Sequence, residues 1–193
     1  MTIKEALKKI NDEINAREPE ITAYDQEVGD GDHALNMQRG LNAVVKDLAS
    51  VGDSAEEIFS YVGKTVMNVV GGTSGAIYGM AFLAGAIATK GKEWNFDTLM
   101  EMISSAAQRI TKAGGAQVGE KTLYDVWGQV DRDQAKIKDV ETLRKNIIVY
   151  MDSTKPLSAT KGRASYIGDR SVGVVDPGAV TSEIIIRFLS ETV

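Results

Sequence analysis

The sequence has 193 residues, of which 43% are hydrophobic and 25% charged, and these values are typical of a single soluble globular domain. It contains no cysteine and one histidine, His33, which excludes a disulfide framework, a thiolate metal site, a cysteine nucleophile and a multi-histidine metal site. The formal net charge of −5 disfavours a nucleic-acid partner.

Helical periodicity runs through most of the chain, and few segments alternate apolar and polar residues. The first predicted helix ends at Pro19, and the locally strand-like runs at 147–151 and 184–186 lie inside longer helical patterns. The weakly polar, glycine-broken run at 69–89 predicts a buried helix and not a membrane span. The predicted helix starts share a capping side chain: Thr2, Ser54, Asp97 or Thr98, Thr122, and Asp176 followed by Pro177.

These patterns predict an all-α fold, with a single domain over residues 1–193 and seven or eight helices. The functional loops are expected at one end of the helix bundle. The charged N-terminal residues lack the apolar segment of a signal peptide. We therefore expect a cytoplasmic protein without a membrane partner.

The segment from Asp25 to His33 concentrates three aspartates, Asp25, Asp30 and Asp32, and has glycines on both sides of Asp30. Two carboxylates about 4 Å apart repel by about 4 kcal/mol at an effective dielectric of about 20, so this crowding favours a bound cation. Magnesium prefers such oxygen ligands. The alternative is a solvated turn with helix caps, which the same residue types also form. His33 is interpreted either as a hydrogen-bond donor to a phosphate or carboxylate or as a helix-start residue, and a metal-ligand role is the least favoured because magnesium prefers oxygen.

The segment from Gly71 to Gly75 places Thr73 and Ser74 among glycines directly before a predicted helix. Free N–H groups and hydroxyls at a helix start suit an anion such as phosphate. The alternative is close helix–helix packing through small residues, which is the interpretation we prefer for Gly79 and Gly85.

Two further glycine-rich segments, at 114–125 and 161–178, lie between predicted helices. The first either surrounds a flat ligand such as a nucleotide base or only connects two helices. In the second, Arg163 and Arg170 are candidates for a bidentate phosphate contact, with surface solvation as the alternative. Together with the acidic segment, these loops suit metal-bound polyphosphate and phosphoryl transfer, where catalysis is mostly positioning and charge neutralisation. No nucleophile or general-base pair is evident, so no catalytic side chain is predicted.

Four motifs of the chain also occur, in the same order, in a known kinase family. They are Asp25…Glu27-Val-Gly-Asp30-Gly-Asp32-His33, Gly71-Gly-Thr73-Ser74-Gly75, Gly119-Glu-Lys-Thr122-Leu-Tyr-Asp125 and Gly162-Arg163-Ala-Ser165-Tyr166. Over essentially its whole length the chain resembles the nucleotide-binding part, subunit L, of dihydroxyacetone kinases. The resemblance implies an antiparallel eight-helix barrel. It also implies a bound ADP or ATP whose phosphates are joined by two magnesium ions to Asp25, Asp30 and Asp32.

The resemblance further implies, by position, a set of nucleotide-lining residues from five parts of the chain: His33, Ala34, Leu35, Asn36, Thr73, Ser74, Gly114, Thr122, Leu123, Arg163, Asp176, Pro177 and Gly178. Without a substrate-binding domain, the chain resembles the version of the family that the phosphoenolpyruvate-dependent phosphotransferase system feeds. That version is a phosphotransferase of several subunits in which ADP stays bound. Subunit M, which carries a phosphohistidine, phosphorylates this ADP, and the γ-phosphoryl passes to dihydroxyacetone held by subunit K.

Two other functions remain open at this point. One is a non-catalytic regulatory module that binds ADP and magnesium and signals to a partner such as a transcriptional regulator. The other is a helical, magnesium-dependent phosphohydrolase that releases inorganic phosphate without a partner.

Overall fold

The computed structural model describes residues 1–70 and 72–193, and this part of the chain contains α-helices and short 3-10 turns but no strand. The all-α prediction is therefore confirmed. Gly71, the first glycine of the predicted 71–75 segment, lies outside the described residues. The described α-helices are α1 (Ile3–Ala16), α2 (Glu18–Val28), α3 (His33–Asp47), α4 (Ala55–Val69), α5 (Gly72–Thr89), α6 (Phe96–Gly114), α7 (Tyr124–Arg132), α8 (Val140–Asp152) and α9 (Pro177–Ser190).

Eight of these helices form a closed cycle, in which α1 packs on α3, each helix from α3 to α8 packs on the next, and α9 closes on α1. Helices α5, α7 and α9 begin at the same end of the molecule, where α2 and α6 end, so α5, α6 and α7 alternate in direction. This arrangement is the antiparallel eight-helix barrel that the resemblance implies. Within the described part of the chain, no helix has both the length and the apolar character needed to cross a bilayer.

The ninth helix, α2, is not predicted from the sequence. The chain bends at Arg17 and re-enters a helix at Glu18, with Pro19 in the first turn. Pro19 thus helps to begin a helix as well as to end one, because its fixed φ and missing N–H are tolerated in a first turn. Lys4, at the start of α1, donates to the carbonyl of Val51 beyond the far end of α3, so α1 and α2 together run antiparallel to α3.

Most predicted helix starts are confirmed by their capping contacts. Thr2 and Ser54 each form a capping box, and Asp176 caps α9 with Pro177 in its first turn. The predicted start of α6 at Asp97 or Thr98 is wrong, because the side chain of Asn95 accepts the hydrogen bond from the Thr98 N–H, 3.0 Å away. Asparagine caps a helix as well as aspartate does, so Asn95 is the cap and the helix begins at the next residue. Thr122 precedes α7 by two residues, and its hydroxyl accepts from the Tyr124 N–H at 3.1 Å. Both strand-like runs lie in helices, within α8 and α9.

The contact between α4 and α5 depends on glycine. A β-carbon on Gly79 would lie 2.9 Å from the carbonyl oxygen of Gly63 and would collide with the side chain of Met67. A β-carbon on Gly85 would lie 2.8 Å from Cγ of Met102 on α6. The packing interpretation of Gly79 and Gly85 is therefore confirmed, and the close approach holds α5 in the barrel wall with its first turn at the cleft described below.

Replacing Gly79 by alanine should destabilise the protein. Overpacking costs about 1–3 kcal/mol, which exceeds the gain of at most about 1 kcal/mol that alanine brings to a helix interior. Urea unfolding would measure the change in the free energy of unfolding. Gly114→Ala is the matched control, since its β-carbon would meet only Cδ1 of Ile77 at 3.6 Å. A Gly79→Ala protein as stable as the wild type would contradict the packing argument.

Candidate functional site

A cleft of about 260 Å³ opens at the end of the barrel where α2 and α6 end and α3, α5, α7 and α9 begin. Four helix N-termini therefore face one cavity, and each brings the positive end of a helix dipole to it. This geometry favours an anionic ligand. The cleft is lined by Asp25, Val28, Gly29, Asp32, His33, Thr73, Ser74, Ile77, Ile110, Gly114, Ala116, Lys121, Thr122, Leu123, Tyr124, Lys161, Gly162, Arg163, Ala164, Asp176, Pro177 and Gly178.

The three predicted carboxylates meet at the edge of this cleft. Asp25, Asp30 and Asp32 each offer an oxygen atom, and these atoms all lie within 4.8 Å of one another. Asp25 belongs to the last turn of α2 and is buried, whereas Asp30 and Asp32 lie in the exposed turn before α3. Gly31 has a φ of 77°, a left-handed conformation that favours glycine and lets the turn bring these two aspartates back beside Asp25.

Neighbouring groups partly compensate for the repulsion among these carboxylates. Two unit charges about 5 Å apart repel by about 3 kcal/mol at an effective dielectric of about 20. The first N–H of α3, at His33, donates to Oδ2 of Asp25 at 3.0 Å, and the guanidinium of Arg163 pairs with Asp30. The donor set of three carboxylates is hard and anionic, which fits a magnesium ion.

The side chain of His33 is directed to the barrel interior. Its Nε2 lies 3.0 Å from the hydroxyl of Thr181 on α9, and burial lowers the pKa of the imidazole. The hydroxyl of Tyr78 on α5 contacts the same Thr181 at 2.8 Å and Ser182 at 2.8 Å, and Trp127 on α7 donates to Ser182 at 2.9 Å. This buried network joins α3, α5, α7 and α9 close to their N-terminal ends at the cleft.

Most of the predicted ligand-lining residues do line the cleft. Thr73 and Ser74 lie in the first turn of α5 and not in a preceding loop, so their N–H groups belong to a helix N-terminus. Of the two candidate arginines, Arg163 lines the cleft and Arg170 does not. The predicted residues that lie in the cleft wall are Asp25, Asp32, His33, Thr73, Ser74, Gly114, Thr122, Leu123, Arg163, Asp176, Pro177 and Gly178.

Three residues predicted beside His33 do not line the cleft. Ala34 is fully buried in the hydrophobic core, Leu35 is half exposed and Asn36 is partly buried. All three belong to the first turn of α3, where successive side chains point in different directions around the helix. Asp30 also stands outside the wall but belongs to the carboxylate cluster. The binding roles of these residues stay predictions.

Several residues of the cleft are not predicted from the sequence. Ile77 on α5, Ile110 on α6 and Ala116 give the cleft an apolar part beside Leu123. The buried Lys121 lines the cleft too, although no sequence pattern marks a lysine for burial. An isoleucine such as Ile77 is typical of the buried face of any helix, so only the three-dimensional structure assigns it to the cleft.

Asp176 is a buried carboxyl group at the start of α9. Its carboxylate accepts from the Ala179 N–H at 2.8 Å, and burial raises the pKa of Asp176 to about 7, an effect to which the neighbouring Asp125 and Asp25 carboxylates add. Lys121 opposes this shift. The folded protein thus binds a proton at Asp176 more tightly than the unfolded chain does.

Replacing Asp176 by asparagine should stabilise the unliganded protein at alkaline pH. Because the pKa is raised in the folded state, the free energy of unfolding falls as pH rises from about 4 to 7. At pH 8 this loss is on the order of 2–4 kcal/mol relative to low pH, where Asp176 is protonated in both states. Asparagine avoids this charge and still caps a helix. Denaturant unfolding at pH 5 and pH 8 would measure the difference, and we expect the gain to be larger at pH 8. A gain that is the same at both pH values would contradict the raised pKa.

Comparisons with known proteins agree with this geometry. The model of the DAK2 domain family matches residues 27–191. The chain is 39% identical over 196 residues to the PTS-dependent dihydroxyacetone kinase, ADP-binding subunit DhaL, of Lactococcus lactis, covering 100% of this chain and 97% of that one. It is 33% identical to the PEP-dependent dihydroxyacetone kinase, ADP-binding subunit DhaL, of Escherichia coli, covering 95% of this chain and 92% of that one.

A solved structure shares the fold. The crystal structure of the dihydroxyacetone kinase from C. freundii in complex with AMP-PNP and Mg2+ superposes with a TM-score of 0.79. The match covers 99% of this chain and 34% of that chain, at 19% sequence identity. The likeness extends to the whole described barrel.

Proposed function

Because the chain belongs to the DAK2 domain family, we propose that it is the ADP-binding subunit of a phosphoenolpyruvate-dependent dihydroxyacetone kinase. The observation that supports this function most directly is the meeting of three carboxylates, Asp25, Asp30 and Asp32, with a cleft that four helix N-termini face. Relatives that match over nearly their whole length carry the name of such a subunit. A cytoplasmic location is part of the proposal.

Asp25, Asp30 and Asp32 would hold magnesium, and we propose two ions. Their oxygen atoms are close enough to one another to share hard cations. When bound, magnesium neutralises the charge of the polyphosphate and joins it to the carboxylates. This explains how a chain with a net charge of −5 can retain an anionic nucleotide.

The polar and the apolar residues of the cleft suit the two parts of ADP. Thr73 and Ser74 offer hydroxyl and N–H donors at the start of α5, and Arg163 offers a planar fork of donors for a phosphate. Ile77 and Leu123 give an apolar wall on which a nucleotide base can lie. Phosphates near the carboxylates and a base near the apolar wall orient the ligand in one direction.

The chain's own residues would position the nucleotide. His33, the one histidine, is buried and its Nε2 contacts Thr181, so it is not placed to carry a phosphoryl group itself. A bound nucleotide would carry the phosphoryl group from the phosphohistidine of subunit M, which is thereby left as free histidine, to the hydroxyl of dihydroxyacetone held by subunit K. The protein then contributes mostly charge neutralisation and orientation.

Reconstitution tests this function. Purified chain, phosphorylated subunit M, subunit K, magnesium and dihydroxyacetone should yield dihydroxyacetone phosphate with only catalytic amounts of ADP. Omitting the chain should stop product formation. Nucleotide binding without any turnover would contradict the proposal and favour a regulatory module, such as one that signals to a transcriptional regulator. Steady release of inorganic phosphate by the chain alone would instead favour a phosphohydrolase.

A further inference from the structure

Lys121 has an unusual backbone and an unusual environment. Its φ is 61°, the only positive value for a non-glycine residue among residues 1–70 and 72–193, and the residue is only 1% exposed. A side chain strains the backbone in this left-handed region, and such strain persists only where neighbouring contacts hold it. Here the carboxylate of Asp125 accepts from the Gly119 N–H at 2.6 Å and from the Thr122 N–H at 2.7 Å, on either side of Lys121.

The ammonium group of Lys121 connects this turn to the segments that precede α9. It donates to the carbonyl of Thr154 at 2.8 Å and to the carbonyl of Val174 at 2.5 Å. The hydroxyl of Thr154 in turn accepts from the N–H of Asp176 at 3.0 Å. Lys121 therefore fixes the position of the segment that brings Asp176 and the start of α9 to the cleft.

Stability alone does not explain a buried ammonium at this place. Replacing buried charges by apolar side chains of similar size often leaves stability unchanged or raises it. Lys121 nevertheless lies in the cleft wall, where its charge attracts the carboxylates of Asp176 and Asp125. Two of its three N–H donors are used by backbone carbonyls, and one of these carbonyls, that of Val174, belongs to the segment that continues into the cleft residues Asp176 to Gly178.

We propose that Lys121 is a positioning residue of the nucleotide site, which holds the turn at 119–123 and the segment at 174–178 in the arrangement that binds ADP. The inference rests on the proposed function, because it assigns the ligand of the cleft as a nucleotide. Lys121 acts through the backbone and through Asp176, and it needs no direct contact with the ligand.

Calorimetric titration of MgADP tests the inference. Lys121→Met should weaken ADP binding at least 10-fold, because the two segments lose their common donor. Lys121→Arg keeps the charge and the donors and should recover most of the affinity, a rescue that a purely space-filling role would not produce. Lys155→Met is the control, because Lys155 follows Thr154 in the chain but its side chain is exposed. The affinity of this variant for MgADP should stay within twofold of the wild-type value.

A second variant covers the case in which Lys121→Met does not fold. Thr154→Val removes the hydroxyl that accepts from the Asp176 N–H and should also weaken MgADP binding, because the segment at 174–178 loses one of its attachments. Wild-type affinity in a folded Lys121→Met protein, or in Thr154→Val where Lys121→Met does not fold, would overturn the inference and leave the proposed function intact. A wild-type chain that does not bind MgADP would overturn both.

Discussion

An Asp30→Ala chain should fold like the wild type and yet fail to retain ADP in the presence of magnesium. Asp30 lies in an exposed turn outside the hydrophobic core, and its described ion pair is with the exposed Arg163. Removing one of three crowded carboxylates relieves their mutual repulsion, so stability should be unchanged or slightly higher. Replacing a residue that only supports a metal ligand typically lowers metal affinity or activity about 10–100-fold. We therefore expect the loss of a direct ligand to weaken MgADP binding by at least about 100-fold.

Calorimetric titration with MgADP and far-ultraviolet circular dichroism would separate binding from folding. Asp53→Ala is the matched control, because Asp53 is an exposed acidic residue at the opposite end of α3 that pairs with Lys4. This control should bind MgADP as the wild type does. If Asp30→Ala retains wild-type affinity, the assignment of the metal ligands is wrong; if it loses its helicity, Asp30 has a structural role.

Replacing Arg163 by methionine should strengthen the binding of magnesium alone and weaken the binding of ADP. In the structure the guanidinium of Arg163 pairs with Asp30, so it occupies the same carboxylate that a metal ion would use. Its removal should raise the affinity for magnesium alone by up to about 5-fold, the range expected for a solvent-exposed ion pair. The affinity for ADP should fall by about 10–100-fold, because charge-assisted hydrogen bonds to phosphate are lost.

Manganese can report on the metal alone, since its unpaired electrons allow binding to be followed by electron paramagnetic resonance, and calorimetry reports on ADP. Arg170→Met is the control, because Arg170 lies in the following 3-10 turn and does not line the cleft. Its two affinities should match those of the wild type. Equal losses in Arg163→Met and Arg170→Met would indicate a general effect of surface charge and would contradict a phosphate contact at Arg163.

Local signals predicted the parts of the structure that depend on neighbouring residues in the chain. The capping boxes at Thr2 and Ser54 and the cap at Asp176 need only three or four residues, and the structure contains all three. The carboxylate cluster of Asp25, Asp30 and Asp32 spans eight residues, and their crowding is visible without any tertiary contact. These features could be predicted because their physics is local.

Features that depend on distant residues could not be predicted in this way. Tyr78 contacts Thr181 across 103 positions of sequence, and Lys121 reaches Val174 across 53. Nothing local separates Tyr78 from an ordinary core aromatic, or Lys121 from a surface lysine. The sequence does not predict the short helix α2, because Pro19 marks the end of one helix and suits the first turn of the next equally well.

Native mass spectrometry of the untreated protein tests the central claim most directly, that the three carboxylates hold magnesium and the magnesium holds a nucleotide. The account predicts a protein whose mass exceeds that of the chain by ADP and two magnesium ions. Removal of the metal by a chelator should release the nucleotide, and added magnesium with ADP should restore it. A chain that carries no nucleotide, and that stays unchanged when magnesium and ADP are added together, would contradict the account.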